Sequence, residues 1–578
     1  MATFDVWAPR AGRLQLEIGG ERHQMTARGG GWWQVSAPAE AGTDYAYVID
    51  DLKAMPDPRS RWQPAGVHGP SRTYDDASFD WTDEHWTGRQ LAGSVVYELH
   101  IGTFTEAGTF DAAIERLDHL ADLGVDLVEL MPVNAFDGDW GWGYDGVGWY
   151  AVHAPYGGPD GLKRFVDAAH ARGLGVLLDV VYNHLGPSGA YLEPFGPYFT
   201  DRHVTPWGPA VNLDGAGSDE VRGFILASVA MWLDAFHLDG LRLDAVHALV
   251  DDRATHLLEE MSVAVEALSA HLGRPLSLIA ESDLNDTRLI AAREAHGFGL
   301  TAQWSDDFHH ALHGLLTGER KGYYADFGAM AALVKTMTGA YFHDGTWSSF
   351  RGRRHGRPVD TSVTPASRFV VCLQDHDQVG NRAGGDRISA TLSTPLCKVG
   401  AGLLLTSPFA PMLFMGEEWA ASTPWQFFTN QSDPVLAEAI SRGREAEFAG
   451  HGWPDEVVPD AQDPQTMQRS RLQWSELDAP VHAEVLDFYR KAIALRRQRA
   501  ELTDPRLDQV AVDFSEEARW LVVTRGGLRV VANLAPHRQA VPLDGAPRRV
   551  LLASTTGFVY AEGKVELDGA SMLVVELA

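Results

Sequence analysis

Four acidic residues close short apolar runs: Asp179 in LLDVVYNH, Asp244 in LRLDAV, Glu281 in LIAESD and Asp377 in LQDHDQVGN. A carboxyl group at the end of a buried strand is costly unless it is paired or used, so four in equivalent positions define a candidate site. Arg242 and Asp244 are two residues apart, a spacing that puts both side chains on one side of a strand. The guanidinium stabilises the anion, so Asp244 is either a permanently charged oxygen nucleophile or the anchor of a structural ion pair. Glu281 has no cation beside it in the chain. Facing Asp244 and Asp377, it would have a raised pKa, which suits a general acid. A charged nucleophile with a protonated acid is the equipment of retaining glycoside hydrolysis, which predicts carboxyl groups about 5–5.5 Å apart. Asp377 would then brace hydroxyls beside the reacting carbon, and Asp179 would hold Arg242. His184 in YNHLG and His376 in QDHDQ sit next to these acids and are read as donors to sugar hydroxyls. Aromatic rings suit the flat C–H faces of sugars. Tyr144, in WGWGYDGVGWY, is expected under the cleaved sugar and Trp207, in PWGPAVNLD, at a neighbouring site, whereas Trp140 and Trp149 serve packing equally well.

The elements that must carry these residues follow from the pattern after Ser94. Apolar runs (SVVYELHIG, VDLVELMPV, GVLLDVVYNH, LDGLRLDAV, LSLIAESD, LTAQWSDD, RFVVCLQDHD, APMLFMGEE) alternate with amphipathic stretches such as FDAAIERLDHLADLG. Continuous rather than alternating apolar character marks parallel strands covered by helices on both faces. Eight such units predict an α/β fold, a (β/α)₈ TIM barrel, over residues 91–500, with insertions at 184–220 and 419–475 that leave the strand C-termini where barrel sites form. Strands three, four, five and seven thus deliver the four acids to one rim. Residues 1–90 carry short alternating runs broken by Gly and Pro, the pattern of an N-terminal β-sandwich domain. Trp7, Trp32 and Trp33 there read as core and edge aromatics. Segment 55–72 is Pro-rich, either a linker or a loop folded over the barrel. Residues 501–578 return to strand-like runs and predict a C-terminal β-sandwich domain.

The chain has 578 residues, too many for one core, and a formal net charge of −30. That acidity argues against nucleic acid and anionic membrane surfaces, and leaves a neutral sugar unaffected. Cys372 and Cys397 form no disulfide framework and read as buried free thiols. No clustered His/Cys set suggests zinc and no Walker-type loop suggests nucleotide, so no cofactor and no metal are expected. Residues 399–416 are the one segment resembling a membrane span, but Pro408 and Pro411 divide it into a buried helix and a buried strand. The start MATFDVWAPR lacks a basic n-region followed by an apolar stretch, so a cytoplasmic protein is expected.

At DVVYNH (179–184), GLRLDAVHA (240–248), IAESD (279–283) and QDHD (374–377) the chain resembles the α-amylase superfamily of glycoside hydrolases, over about residues 94–500 and in the family's order. That resemblance implies that Asp244 is the nucleophile, Glu281 the acid/base and Asp377 the transition-state stabiliser. Tyr144, His184, Arg242 and His376 match residues lining the subsite of the cleaved sugar. PRSRWQPAGVHGPS, AVHAPYGGPDGLKRF, LIAESDLND and VPDAQDPQT resemble the trehalose-releasing branch of that superfamily. The implied substrate is an α-glucan ending in trehalose, cleaved at the adjacent α-1,4 bond with retention. The implied functional partner is the maltooligosyltrehalose synthase that isomerises the chain end. The insertions, with aromatics near Tyr341–Trp347, are the expected place where the trehalose half is recognised. The chain departs from the family pattern in Asp375, where amylases more often have Asn. It also has His247 and Ala248 where calcium-dependent members have Lys and a His carbonyl ligand. The competing reading is an α-1,4-glucan branching enzyme or glucanotransferase, which shares the nucleophile and acid.

Overall fold

The computed structural model describes residues 1–450, 458–561 and 563–578. Eight parallel strands close into a barrel: Val96–Leu99, Leu127–Leu130, Gly175–Val180, Gly240–Leu243, Ser277–Ala280, Ala302–Trp304, Phe369–Cys372 and Ala410–Phe414. Each pairs with the next in sequence and the eighth returns to the first, with Met412 opposite Val96. The predicted eight-unit α/β barrel is therefore present. Its strands are buried along their whole length, as a sheet covered by helices requires. The 399–416 segment forms the buried end of the helix Thr394–Leu405 and the buried eighth strand. Among the described residues, no helix is long and apolar enough to cross a membrane.

Before the barrel lie two small antiparallel sheets. One joins Ala2–Trp7, Trp32–Ala37 and Thr26–Gly29, and the other joins Glu21–Gln24, Leu14–Ile18, Asp44–Ile49 and Ser71–Arg72. Trp7 is buried and donates to Gly30 O at 3.0 Å, while the half-buried Trp33 donates to Ala8 O at 3.1 Å, so both pin one edge of the first sheet. Segment 55–72 folds over the barrel: Val67 packs with Ala135 and Ala151, and His68 Nδ1 meets Tyr191 Oη at 2.7 Å.

After the barrel, the helix Pro480–Gln498 leads to a five-stranded antiparallel sheet facing a three-stranded one across an apolar core that includes Val531, Val541 and Val565. Glu516 from this C-terminal unit accepts the Met330 N–H at 2.9 Å, placing a carboxylate on the N-terminus of the helix Met330–Gly339, where the helix dipole favours it.

Two segments fill the predicted insertions. Residues 184–220 contain the hairpin Phe199–Thr205 with Gly208–Val211. The 419–475 insertion includes the helices Pro434–Gly450 and Pro464–Arg469, and its residues 451–457 lie outside the described residues. Cys372 and Cys397 are both buried and free.

Candidate active site

Parallel register brings the acids together. Asp179 on the third strand is opposite Arg242 on the fourth, and Arg242 is opposite Ile279 on the fifth. Backbone bonding continues past the strand ends: Asp244 N–H donates to Val180 O at 3.1 Å and Glu281 N–H to Leu243 O at 2.9 Å. These bonds fix where the two carboxyl groups leave the sheet. Tyr144, His184, Trp207, Arg242, Asp244, Glu281, His376 and Asp377 all line one cavity of about 370 Å³. Asp179 is buried beneath it and does not line it.

Arg242, only 2% exposed, organises the floor. Its Nη1 donates to both oxygens of Asp179 at 3.0 and 2.9 Å and to Asp244 Oδ1 at 2.7 Å. Its guanidinium carbon stands 4.4 Å from the Trp304 ring centroid, a cation–π contact that the planar group is shaped to make. The other oxygen of Asp244 accepts from Asn183 Nδ2 at 2.8 Å. Asp244 thus presents acceptors only, the pattern of a carboxylate.

Glu281 differs. Its Oε2 accepts the Ala245 N–H at 2.7 Å, and Arg242 Nη2 is 3.8 Å away. Burial raises its pKa to about 7 against the pull of Arg242 and the Ala245 N–H, with Asp244 and Asp377 adding repulsion. Like charge was the cause expected from sequence, but burial is the larger one, and a cation the linear sequence does not reveal opposes it. Burial likewise raises Asp179 to about 6 although Arg242 holds it.

Tyr144 Oη donates to Asp179 Oδ2 at 2.6 Å and lies 2.8 Å from His376 Nε2, with the two rings stacked at 5.1 Å. Asp375, the residue that departs from the amylase pattern, caps the short helix His376–Gly380 by accepting the N–H groups of Asp377 and Gln378 at 3.0 and 2.9 Å. It therefore sets the backbone of Asp377, whose side chain is in turn hydrogen-bonded by Asn381.

His184 was read as a donor to sugar, but both its ring nitrogens face protein oxygens: Nδ1 faces Asn183 Oδ1, and Nε2 is 3.0 Å from Tyr144 O. Its ring instead backs Trp207, with centroids 4.7 Å apart and planes 2° from parallel. Trp207 is 47% exposed at the turn of the hairpin. Trp149 is buried in the core and Trp140 packs against it, so both have packing roles. Tyr341, placed by sequence near the recognition loop, is buried with its hydroxyl accepting from the Gln303 side-chain amide, whereas Trp347 is exposed.

Sequence reasoning missed Asn183, Trp304, the Ala245 amide and Glu98, which contacts His376 from the first strand. Glu98 and Glu129 are single acids inside otherwise apolar strands, and that isolation was the available signal. Among the described residues, the one grouping with metal-ligand spacing is His203, Asp214 and Asp252. There His203 and Arg202 already pair with Asp214, and none of the three lines the cavity.

The alpha amylase catalytic domain model matches residues 76–195, and a domain of unknown function, DUF3459, matches 505–574. A malto-oligosyltrehalose trehalohydrolase from Rhizobium sp. (strain M-11) is 54% identical, aligned over 99% of this chain and 97% of its own length. One from Mycobacterium tuberculosis (strain CDC 1551 / Oshkosh) is 52% identical over 100% of both chains. The crystal structure of an alpha-amylase candidate from Salmonella typhimurium superposes with a TM-score of 0.91 at 37% identity, covering 100% of this chain and 97% of that one.

Proposed function

Since the chain belongs to the malto-oligosyltrehalose trehalohydrolases of the α-amylase family, we propose that this glycoside hydrolase cleaves the α-1,4 bond next to the terminal trehalose of maltooligosyltrehalose. Asp244 attacks the anomeric carbon while Glu281 gives its proton to the glycosidic oxygen, and trehalose leaves. Glu281, now ionised, takes a proton from water as that water attacks the same carbon. The Asp244 ester breaks, the glucan departs with net retention, and both acids return to their starting states. Asp377 holds hydroxyls beside the reacting carbon. Arg242, held by Asp179, donates to Asp244 and aims it. Tyr144, His376, His184 and Trp207 line the sugar sites, with His184 supporting the Trp207 ring.

One observation carries this reading. A carboxylate whose two oxygens only accept hydrogen bonds shares a cavity with a carboxyl group that keeps its proton to about pH 7. Two carboxyl groups held in different protonation states supply both halves of the reaction. We assign the chemistry to residues 91–500 and treat 1–90 and 501–578 as separate β-domains. A cytoplasmic setting, with substrate supplied by maltooligosyltrehalose synthase, goes with this proposal.

The test is incubation with maltopentaosyl-trehalose and, separately, with maltoheptaose. Free trehalose from the first, with the new reducing end initially in the α form by NMR, is the expected result. Redistribution of maltoheptaose without new reducing ends would identify a glucanotransferase instead.

A further inference from the structure

Two more carboxyl groups stand inside the barrel, Glu98 on the first strand and Glu129 opposite it on the second, both buried. Glu98 has defined partners. Its Oε1 is 2.5 Å from His376 Nδ1, and its Oε2 accepts the His376 backbone N–H at 2.8 Å. On the far side of the imidazole, Nε2 is 2.8 Å from Tyr144 Oη. The single hydroxyl hydrogen of Tyr144 goes to Asp179, which also accepts twice from Arg242. Nε2 must therefore carry a hydrogen and donate it. Nδ1 faces Glu98 Oε1, and when that oxygen accepts, as Oε2 does from the His376 backbone N–H, both ring nitrogens are protonated.

We propose that Glu98 is a positioning residue of the hydrolase: from the first strand it holds His376 as an imidazolium with its Nε2–H aimed at the cavity edge beside Tyr144. This rests on the cavity being the site of glucan hydrolysis. The contacts run unbroken from Glu98 through His376, Tyr144, Asp179 and Arg242 to Asp244. A charged donor makes a hydrogen bond roughly twice as strong as a neutral one. Fixed in this way, it stays the same donor across the pH range in which Glu281 titrates.

The other groups around His376 agree with a charged ring. Asp375 and Asp377 flank it at the end of the seventh strand, and both favour its charge. Asp179 faces it from the third strand. Among the described residues neither oxygen of Glu129 has a hydrogen-bond partner, and burial, with Glu98 beside it, pushes its carboxyl well above the ordinary range. His100 next to the first strand is also neutral, pushed down to about 3 by burial. Burial opposes the charge on His376, but Glu98 and the neighbouring aspartates outweigh it and raise the ring to about 10.

The experiment is Glu98→Gln, which keeps the shape and removes the charge. His376 is followed by NMR in histidine-labelled protein without substrate, its signal assigned by loss in His376→Asn. The wild-type ring should stay doubly protonated from about pH 5 to 9, and in Glu98→Gln its midpoint should fall by two or more pH units, toward the ordinary histidine range. On maltopentaosyl-trehalose, kcat/KM should fall about 10- to 100-fold at pH 8 but less than about threefold at pH 5.5, where an ordinary histidine is protonated anyway. Glu98→Asp, which retains a carboxylate farther away, should fall between wild type and Glu98→Gln in midpoint. It also decides the matter should Glu98→Gln not fold. An unchanged His376 midpoint in the folded variants, or an equal rate loss at every pH, overturns the proposal. Failure of the wild type to release trehalose would overturn the functional reading instead, and the NMR titration would still decide Glu98.

Discussion

The N–H of Ala245 donates to Oε2 of Glu281 at 2.7 Å, and the carbonyl of Glu281 accepts the N–H of Val246 at 3.0 Å. Both donors lie on the turn after Asp244 and both acceptors on Glu281, and at this strap Ala245 takes a φ of 40°, a left-handed conformation that costs a non-glycine residue about 1 kcal/mol. Because Ala245 follows Asp244 directly, these backbone donors join the strand end that carries Asp244 to Glu281. The N–H favours ionised Glu281 and burial favours the proton, and burial prevails.

The first consequence is a pH limit. In the proposed reaction cleavage needs protonated Glu281, so kcat/KM should fall as pH rises through about 7, tenfold per unit well above it. A pH–rate profile on maltopentaosyl-trehalose checks this. A flat profile to pH 9 would remove Glu281 from the acid role.

The same raised pKa has a stability consequence. Between the ordinary value of 4.5 and about 7, folded protein holds a proton that the unfolded chain has lost, so Glu281 makes folding less favourable as pH rises through that window. Glu281→Gln removes the effect. Its melting midpoint should exceed that of wild type at pH 8, by a margin equivalent to about 1–3 kcal/mol. The gap should close by pH 4.5. Calorimetric or fluorescence melts at the two pH values read it, and a gap that is the same at both would contradict the burial of an ionisable group there.

Arg242→Lys tests the floor of the cavity. Lysine brings a point charge without a planar fork, so it cannot serve Asp179 and Asp244 together or stack on Trp304. The expected outcome is a loss in kcat/KM of about 10²-fold or more and a destabilisation of about 3 kcal/mol, because a buried carboxylate loses its partner. Steady-state kinetics and denaturant melts separate the two. Near-wild-type behaviour in both would show that charge alone suffices.

Why the acids were legible and their support was not follows from where each lies. Asp179, Asp244, Glu281 and Asp377 interrupt apolar runs at strand ends, and a closed parallel barrel has one face for all of those ends. Glu98 points into the barrel from within a strand, and its partner His376 lies 278 residues away, a separation that no local pattern reports. The left-handed turn at Ala245 was equally hidden, because alanine has no preference for that conformation. His184 lines the cavity, but which way its nitrogens point depends on its neighbour Asn183 and on the Tyr144 carbonyl, which the fold brings from 40 residues away.

Trp207 offers the cleanest separation of binding from folding. It sits half-exposed on the hairpin that follows the third strand, held flat against His184, and it lines the same cavity as Asp244, Glu281 and Asp377. Little of the core depends on it, so Trp207→Ala should leave the melting midpoint within about a degree. An aromatic face against a sugar is worth about 1–2 kcal/mol, so KM for maltopentaosyl-trehalose should rise about 5- to 30-fold with kcat changed much less. Trp207→Phe, which keeps a ring on His184, should recover most of that loss. Equal falls in kcat and kcat/KM would mean that the ring acts only on the transition state, and unchanged KM would take Trp207 out of the sugar path.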